Sequence, residues 1–239
     1  MKNSVQLNIQ SKWSISEWES IANGDATILF PKETKEAVKE NRESLENRIK
    51  RGDVLYGVNT GFGSLCTTEV SNSELKQLQI NLIRSHAAGT GGSVEAEVVR
   101  LMLITKIRAL SKGYSGVRWD IIAKMGSLGA SGDLAPLAHL SLVLMGEGKA
   151  THNGEIYKGK EILKKFDLQP LHLMEKEGLA LINGTQFMLS HGLWACIQTR
   201  YISYWADWIS SMSIIGFDTS SAPFDNCLLY TSPSPRDNK

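Results

Sequence analysis

The chain has 239 residues, 42% of them hydrophobic, a formal net charge of +1 and three cysteines. That apolar content suffices for a sizeable core, and the near-neutral balance gives no overall field that favours nucleic acid or an anionic membrane. Cys66, Cys196 and Cys227 are too few and too scattered for a disulfide framework or a zinc site, so a reducing, cytoplasmic setting is expected.

The opening stretch MKNSVQLNIQSKW contains no apolar run of signal-peptide length. The longest apolar runs, such as 142–145, are far too short to span a bilayer. Ser14 is placed to cap a first helix, with Glu17 at the capping-box position. Lys32 to Arg51 is strongly charged, and Val38, Leu45 and Ile49 form a narrow apolar stripe, which predicts a largely solvated helix. Leu75, Leu78 and Leu82 mark another helix, capped near Ser71 or Ser73. Val94 to Lys112 is more apolar and is stopped by Gly113.

Asp133 is suited to cap a helix from Leu134 to Met145, and Pro136 fits its first turn, where amides lack intrahelical partners. In ATHNGEIY, Asn153-Gly154 suits a type I′ turn between two short strands. A long helix is predicted from about Gln186 to Met212, carrying Trp194, Trp205 and Trp208. From Cys227 the chain reads CLLYTSPSPRDNK, without periodicity, and is expected to be extended or disordered. The class expected is mainly α.

Familiar cofactor and nucleophile motifs are missing. YGVNTGFG at 56–63 is glycine-rich, but Cys66 stands where a dinucleotide fingerprint needs its third glycine. In GEGKA at 146–150, Ala150 replaces the hydroxyl residue of a phosphate loop. His86, His139, His152, His172 and His191 show no metal-ligand spacing.

The stretch GSLGASGDLAPLAHL at 126–140 raises a different possibility. In a tight bend, the Gly132 amide nitrogen could attack the Ala130 carbonyl carbon and close a five-membered ring. Loss of that water, and of a second from Ser131, leaves an exocyclic methylidene, an electrophile that no ordinary side chain supplies. The chemistry needs a small residue, then a hydroxyl to eliminate, then a glycine with an unhindered amide. Taken alone, the tripeptide reads as a plain glycine-rich turn capping the following helix, and only the longer stretch favours the cyclising chemistry.

The longer stretch resembles the signature of the aromatic amino-acid ammonia-lyases. YGVNTGFG resembles that family's tyrosine loop, and KEGLALINGTQ at 176–186 resembles its asparagine segment, all three in the family's order. The resemblance implies a mainly α chain with a few short strands, forming the N-terminal part of the lyase fold. It implies that Ala130, Ser131 and Gly132 cyclise to 4-methylidene-imidazole-5-one, with no metal or nucleotide cofactor. Tyr56 matches the family's base, a role that needs surroundings favouring the phenolate. Asn183 matches an asparagine that contacts the prosthetic group and the substrate carboxylate region. Ser85-His86 and Gln186 match the histidine-specific branch. His86 can share a hydrogen bond with an imidazole substrate and not with a phenyl ring.

The reaction so implied is deamination of L-histidine to trans-urocanate and ammonia, the first step of histidine degradation, by a homotetramer. The alternatives are a phenylalanine or tyrosine lyase or aminomutase, and a non-catalytic fragment. Residues 1–225 are expected to be the N-terminal portion of the catalytic domain, without the family's C-terminal helices, and 226–239 a non-family tail.

Overall fold

The computed structural model describes residues 4–61, 70–71, 74–127, 131–132 and 136–226. The chain divides into two units, Met1–Ala195 and Cys196–Lys239.

The first unit opens with a small parallel pair that the sequence does not announce. Strand β1 (Val5–Asn8) and strand β2 (Ala26–Leu29) align in register from Val5 beside Ala26 to Asn8 beside Leu29. Helix α1 (Ile15–Asn23) makes the crossover. Its start is the expected capping box: the Glu17 amide donates to Ser14 Oγ at 3.3 Å and the Ser14 amide donates to Glu17 Oε2 at 2.7 Å. These bonds satisfy two amides that a helix start leaves orphaned, and they hold the Glu17 carboxyl below its ordinary range. Gly24 ends the helix at φ +78°, a left-handed conformation that glycine adopts without steric cost.

Helix α2 (Lys32–Lys50) is the charged helix, with Val38 buried as its stripe requires. It is less uniformly solvated than expected, because Arg42 is buried. The Arg42 guanidinium donates to the Gly116 and Glu175 carbonyls and pairs with the Glu175 carboxylate at 3.1 Å. Helix α3 (Leu75–His86) begins at Glu74 rather than at a serine, and no side chain caps its first amides; Ser71 Oγ instead donates to the Glu74 carboxylate. Ser73 lies outside the described residues.

Helix α4 (Ala96–Leu110) is the central element. Leu101, Met102 and Leu110 on it are almost fully buried, and it packs against α1, helix α5 (Trp119–Ser127) and strand β3 (Ser131–Gly132). Gly113 stops the run at φ +73°, as expected. Helix α6 (Pro136–Leu144) follows β3 and packs on α3 and on helix α8 (Glu177–Ile182). Its expected cap, Asp133, lies outside the described residues. Strand β4 (Lys149–His152) and strand β5 (Glu155–Lys158) form the expected hairpin, with Asn153 and Gly154 at φ +52° and +82°. Helix α7 (Gly159–Lys165) leads away from it.

Helix α9 (Gln186–Gly216) begins in the first unit, and its residues from Cys196 onward belong to the second. A single 3-10 turn at Ala222–Phe224 follows. The residues from Cys227, where the sequence predicts a tail, lie outside the described residues. Among the described residues, no helix is long and apolar enough to cross a membrane.

Candidate active site

The asparagine segment is shaped by what ends α8. Asn183 leaves the helix at φ −85° and ψ 123°, and its amide still donates to the Leu179 carbonyl at 3.0 Å. Gly184 follows at φ +145°, and a Cβ built there would lie 2.2 Å from Gln186 Oε1. The Gln186 side chain therefore folds back over Gly184. Gln186 Oε1 is buried with no hydrogen-bond partner among the described residues, so it is an acceptor with capacity to spare. A buried, unsatisfied acceptor is costly unless a ligand or water completes it.

His86 closes α3. Its Nδ1 lies 2.8 Å from the Leu82 carbonyl and 3.2 Å from Ser85 Oγ, and the Ser85 hydroxyl donates to the same carbonyl. A carbonyl only accepts, so Nδ1 carries the proton, and in the neutral ring Nε2 is the acceptor. Adjacent Ser85 and the last turn of α3 thus select the tautomer.

These two segments meet. His86, Leu137, Ala138, Ile182, Gly184 and Phe187 line one pocket of about 170 Å³. Its walls are aliphatic and aromatic, with the His86 ring as the polar group. Phe187 is held edge-on against the His191 ring, centroids 4.7 Å apart. Asn183 adjoins the lining residues Ile182 and Gly184 in sequence, and Gln186 adjoins Phe187. The α3 end is fixed from outside by Arg84, whose guanidinium grips both oxygens of Glu147 and holds that carboxyl below its ordinary range.

The Ala130-Ser131-Gly132 segment is described only in part. Ala130 lies outside the described residues. Ser131 and Gly132 form the short strand β3, paired antiparallel with Thr151 and Ala150 of β4, where the cyclising chemistry anticipates a bend. The ladder of β4 gives these two residues backbone partners, and α4 and α6 pack against them. The segment is therefore anchored, and the pocket-lining Leu137 and Ala138 follow it directly on α6. The residue types, a hydroxyl beside a glycine, are those the self-formed electrophile requires, while the backbone of these two residues is extended and strand-paired rather than bent.

Tyr56 is not part of the pocket lining. Its side chain is exposed, although Val58 and Thr60 just after it are buried, and the backbone here is held by its neighbours. Asn59 Oδ1 accepts from the Leu55 amide at 2.7 Å, Asn59 Nδ2 donates to the Asp53 carbonyl, and Thr60 Oγ1 accepts from the Gly57 amide. Thus the structure unites His86 with the Asn183–Gln186 segment, and sets Tyr56 on a braced loop outside that pocket's lining.

The sequence reading does not single out Lys106. It lies in α4, 2% exposed, and its Nζ donates to the Asn183 carbonyl at 2.8 Å. Burial pushes its ammonium down to about 8. A signal exists: Lys106 shares a helical face with Val99, Leu103 and Leu110, the one cation in that apolar stripe. Among the described residues, no group of three His, Cys, Asp or Glu side chains gathers as a metal site would need.

The profile of a family described as "Aromatic amino acid lyase" matches residues 13–239. The histidine ammonia-lyase of Geobacillus thermodenitrificans (strain NG80-2) is 45% identical over 216 residues, which is 84% of this chain and 43% of that protein. Among solved structures, the phenylalanine aminomutase of Pantoea agglomerans superposes with a TM-score of 0.88 at 29% identity, covering 96% of this chain and 47% of that one. The histidine ammonia-lyase of Trypanosoma cruzi superposes with a TM-score of 0.84 at 30% identity, covering 93% of this chain and 46% of that one. The chain thus spans less than half the length of the curated relatives it matches.

Proposed function

Because the chain belongs to the aromatic amino acid lyase family, and is by that membership a carbon–nitrogen lyase, we propose that it is part of a histidine ammonia-lyase that converts L-histidine to trans-urocanate and ammonia. The observation that carries the choice of substrate is His86, which lines an otherwise apolar pocket with its proton fixed on Nδ1. Nε2 can then accept from the N–H of a substrate imidazole. A phenyl substrate would leave that acceptor unpaired, the kind of mismatch by which polar sites reject apolar analogues.

Ala130, Ser131 and Gly132 are the residues that would form the prosthetic group, which supplies an electrophilic methylidene carbon to the substrate amine. The Asn183 side-chain amide donates to a developing oxyanion near that group, as preorganised donors do in other sites. Gln186 Oε1 accepts from the substrate. Tyr56 is the base that removes the β-proton. The assembly proposed for the whole protein is a homotetramer.

Two measurements test the reading. Intact mass with peptide mapping across residues 126–140 is expected to show a deficit of two waters at 130–132. An unmodified mass rejects the electrophile for this chain. On a panel of histidine, phenylalanine and tyrosine, His86→Ala is expected to lower kcat/KM for histidine by about tenfold, the loss of one hydrogen bond to the substrate, and to spare phenylalanine. Equal losses on both substrates remove His86 from the specificity role, and a preference for phenylalanine by the unaltered chain favours the aminomutase-like alternative.

A further inference from the structure

The end of α8 poses a problem that Lys106 solves. Helix ends leave carbonyls without intrahelical donors. Beyond Asn183 the chain takes the left-handed Gly184 step, so no regular structure supplies one. The donor comes instead from α4, 77 positions away in sequence, where Lys106 Nζ reaches the Asn183 carbonyl at 2.8 Å. Among the described residues, no carboxylate stands within ion-pair distance of Lys106.

We propose that Lys106 is a positioning residue, which clamps the backbone of Asn183 to α4 and thereby sets where the Asn183 and Gln186 side chains stand relative to the His86 pocket. The inference rests on the catalytic reading of Asn183 given above. Helix α4 also packs against the Ser131–Gly132 strand. One rigid helix therefore registers both parts of the site, the strand by packing and the asparagine segment by an ammonium.

The residue type supports the role. A methionine or leucine would fill the same space among Val99, Leu103 and Leu110 without desolvating a charge, whereas Lys106 is 2% exposed and its ammonium is disfavoured by burial. Breaches of the apolar pattern of this kind concentrate at functional sites. The ammonium is charge-assisted as a donor, so its bond to a carbonyl is stronger than that of a neutral group.

The test is amide hydrogen exchange on the full chain at neutral pH, comparing the unaltered protein with Lys106→Met and Lys106→Arg. Lys106→Met is expected to speed exchange in the peptide covering 183–187 by about tenfold or more, the loss of one charge-assisted bond, with α4 protection unchanged. Lys106→Arg, which restores a donor, is expected to recover most of the protection. Where the unaltered chain turns over histidine, Lys106→Met is expected to lower kcat with KM changed little. Unchanged exchange at 183–187 in Lys106→Met overturns the proposal. So does a loss of protection across α4 itself, because Lys106 would then be part of the core. Absence of histidine turnover by the unaltered chain counts against the lyase reading alone, since exchange reports the clamp independently.

Discussion

At the scale of single residues, Lys106 and Gly184 make opposite demands on the same segment. The folded chain holds the Lys106 ammonium at a pKa of about 8, against 10.5 as the ordinary value, with burial as the cause. Between those two values the unfolded chain binds more protons than the folded one, so stability rises with pH across that window. The full difference corresponds to about 3 kcal/mol. Lys176 is also lowered by burial and contributes in the same direction, so the comparison must be with Lys106→Met. Urea titrations at intervals from pH 7.5 to pH 10.5 are expected to show a steeper rise for the unaltered chain than for the variant; parallel curves would place the Lys106 pKa near its ordinary value. Gly184 makes a conformational demand: its φ of +145° is one that other residues rarely adopt. Gly184→Ala is expected to cost about 1–3 kcal/mol. It should also displace the Gln186 amide from its fold over residue 184, read as lost histidine binding in excess of the lost stability.

At the scale of elements, what was legible in the sequence is what is local. The Ser14–Glu17 box and the Asn153-Gly154 turn each place their partners within a few residues, and both form as read. The β1–β2 pair was illegible because each strand is four residues long and its partner lies 21 positions away. Strand β3 is Ser-Gly, with no strand propensity of its own, and exists because β4 templates it. The approach to α8 is equally non-local. Glu177 is fully buried and accepts from Arg118 Nε at 2.8 Å, from Arg118 Nη2 at 2.8 Å, and from the Arg118 and Met174 amides. Arg118 sits in the GYSGVR stretch, 59 positions earlier, and nothing in its neighbourhood signals the partner. Glu177→Ala leaves Arg118 and two amides without an acceptor and is expected to cost about 3–5 kcal/mol, as broken buried pairs do. The site should suffer with it, because Glu177 is the first residue of the helix that ends at Asn183. A loss of unfolding free energy in urea titration under about 1 kcal/mol would mean that water replaces the carboxylate.

At the scale of the whole molecule, the three motifs that carry the family resemblance are far apart in sequence; their order was legible, while the meeting of the second and third with His86 at one pocket was not. His86 and Gly184 come together because α3 and α6 both pack against α8, a set of contacts that no single segment encodes. The second unit shows the complementary case, a pattern plain in the sequence whose consequence is chemical rather than architectural. On α9, Tyr201, Trp205, Trp208, Met212 and Ile215 recur at spacings of four, three, four and three, one continuous helical stripe. All five are exposed, Trp205 at 59% and Ile215 at 80%. Ile202 and Ile209 widen the stripe and are exposed as well. An apolar surface of that extent lowers solubility, because water gains by any contact that covers it. Charged residues on this stretch are too sparse to offset it: from Cys196 to Gly216 there are only Arg200 and Asp207. Trp205→Glu with Ile209→Lys places opposite charges one turn apart on the stripe, where they also support the helix. That double variant is expected to raise the soluble concentration of the chain and leave the first unit's exchange protection, and the two-water mass deficit at 130–132, as they are in the unaltered protein. If solubility is unmoved, the stripe does not govern it, and apolar surface elsewhere, such as Tyr114 or Val54, is the next place to substitute.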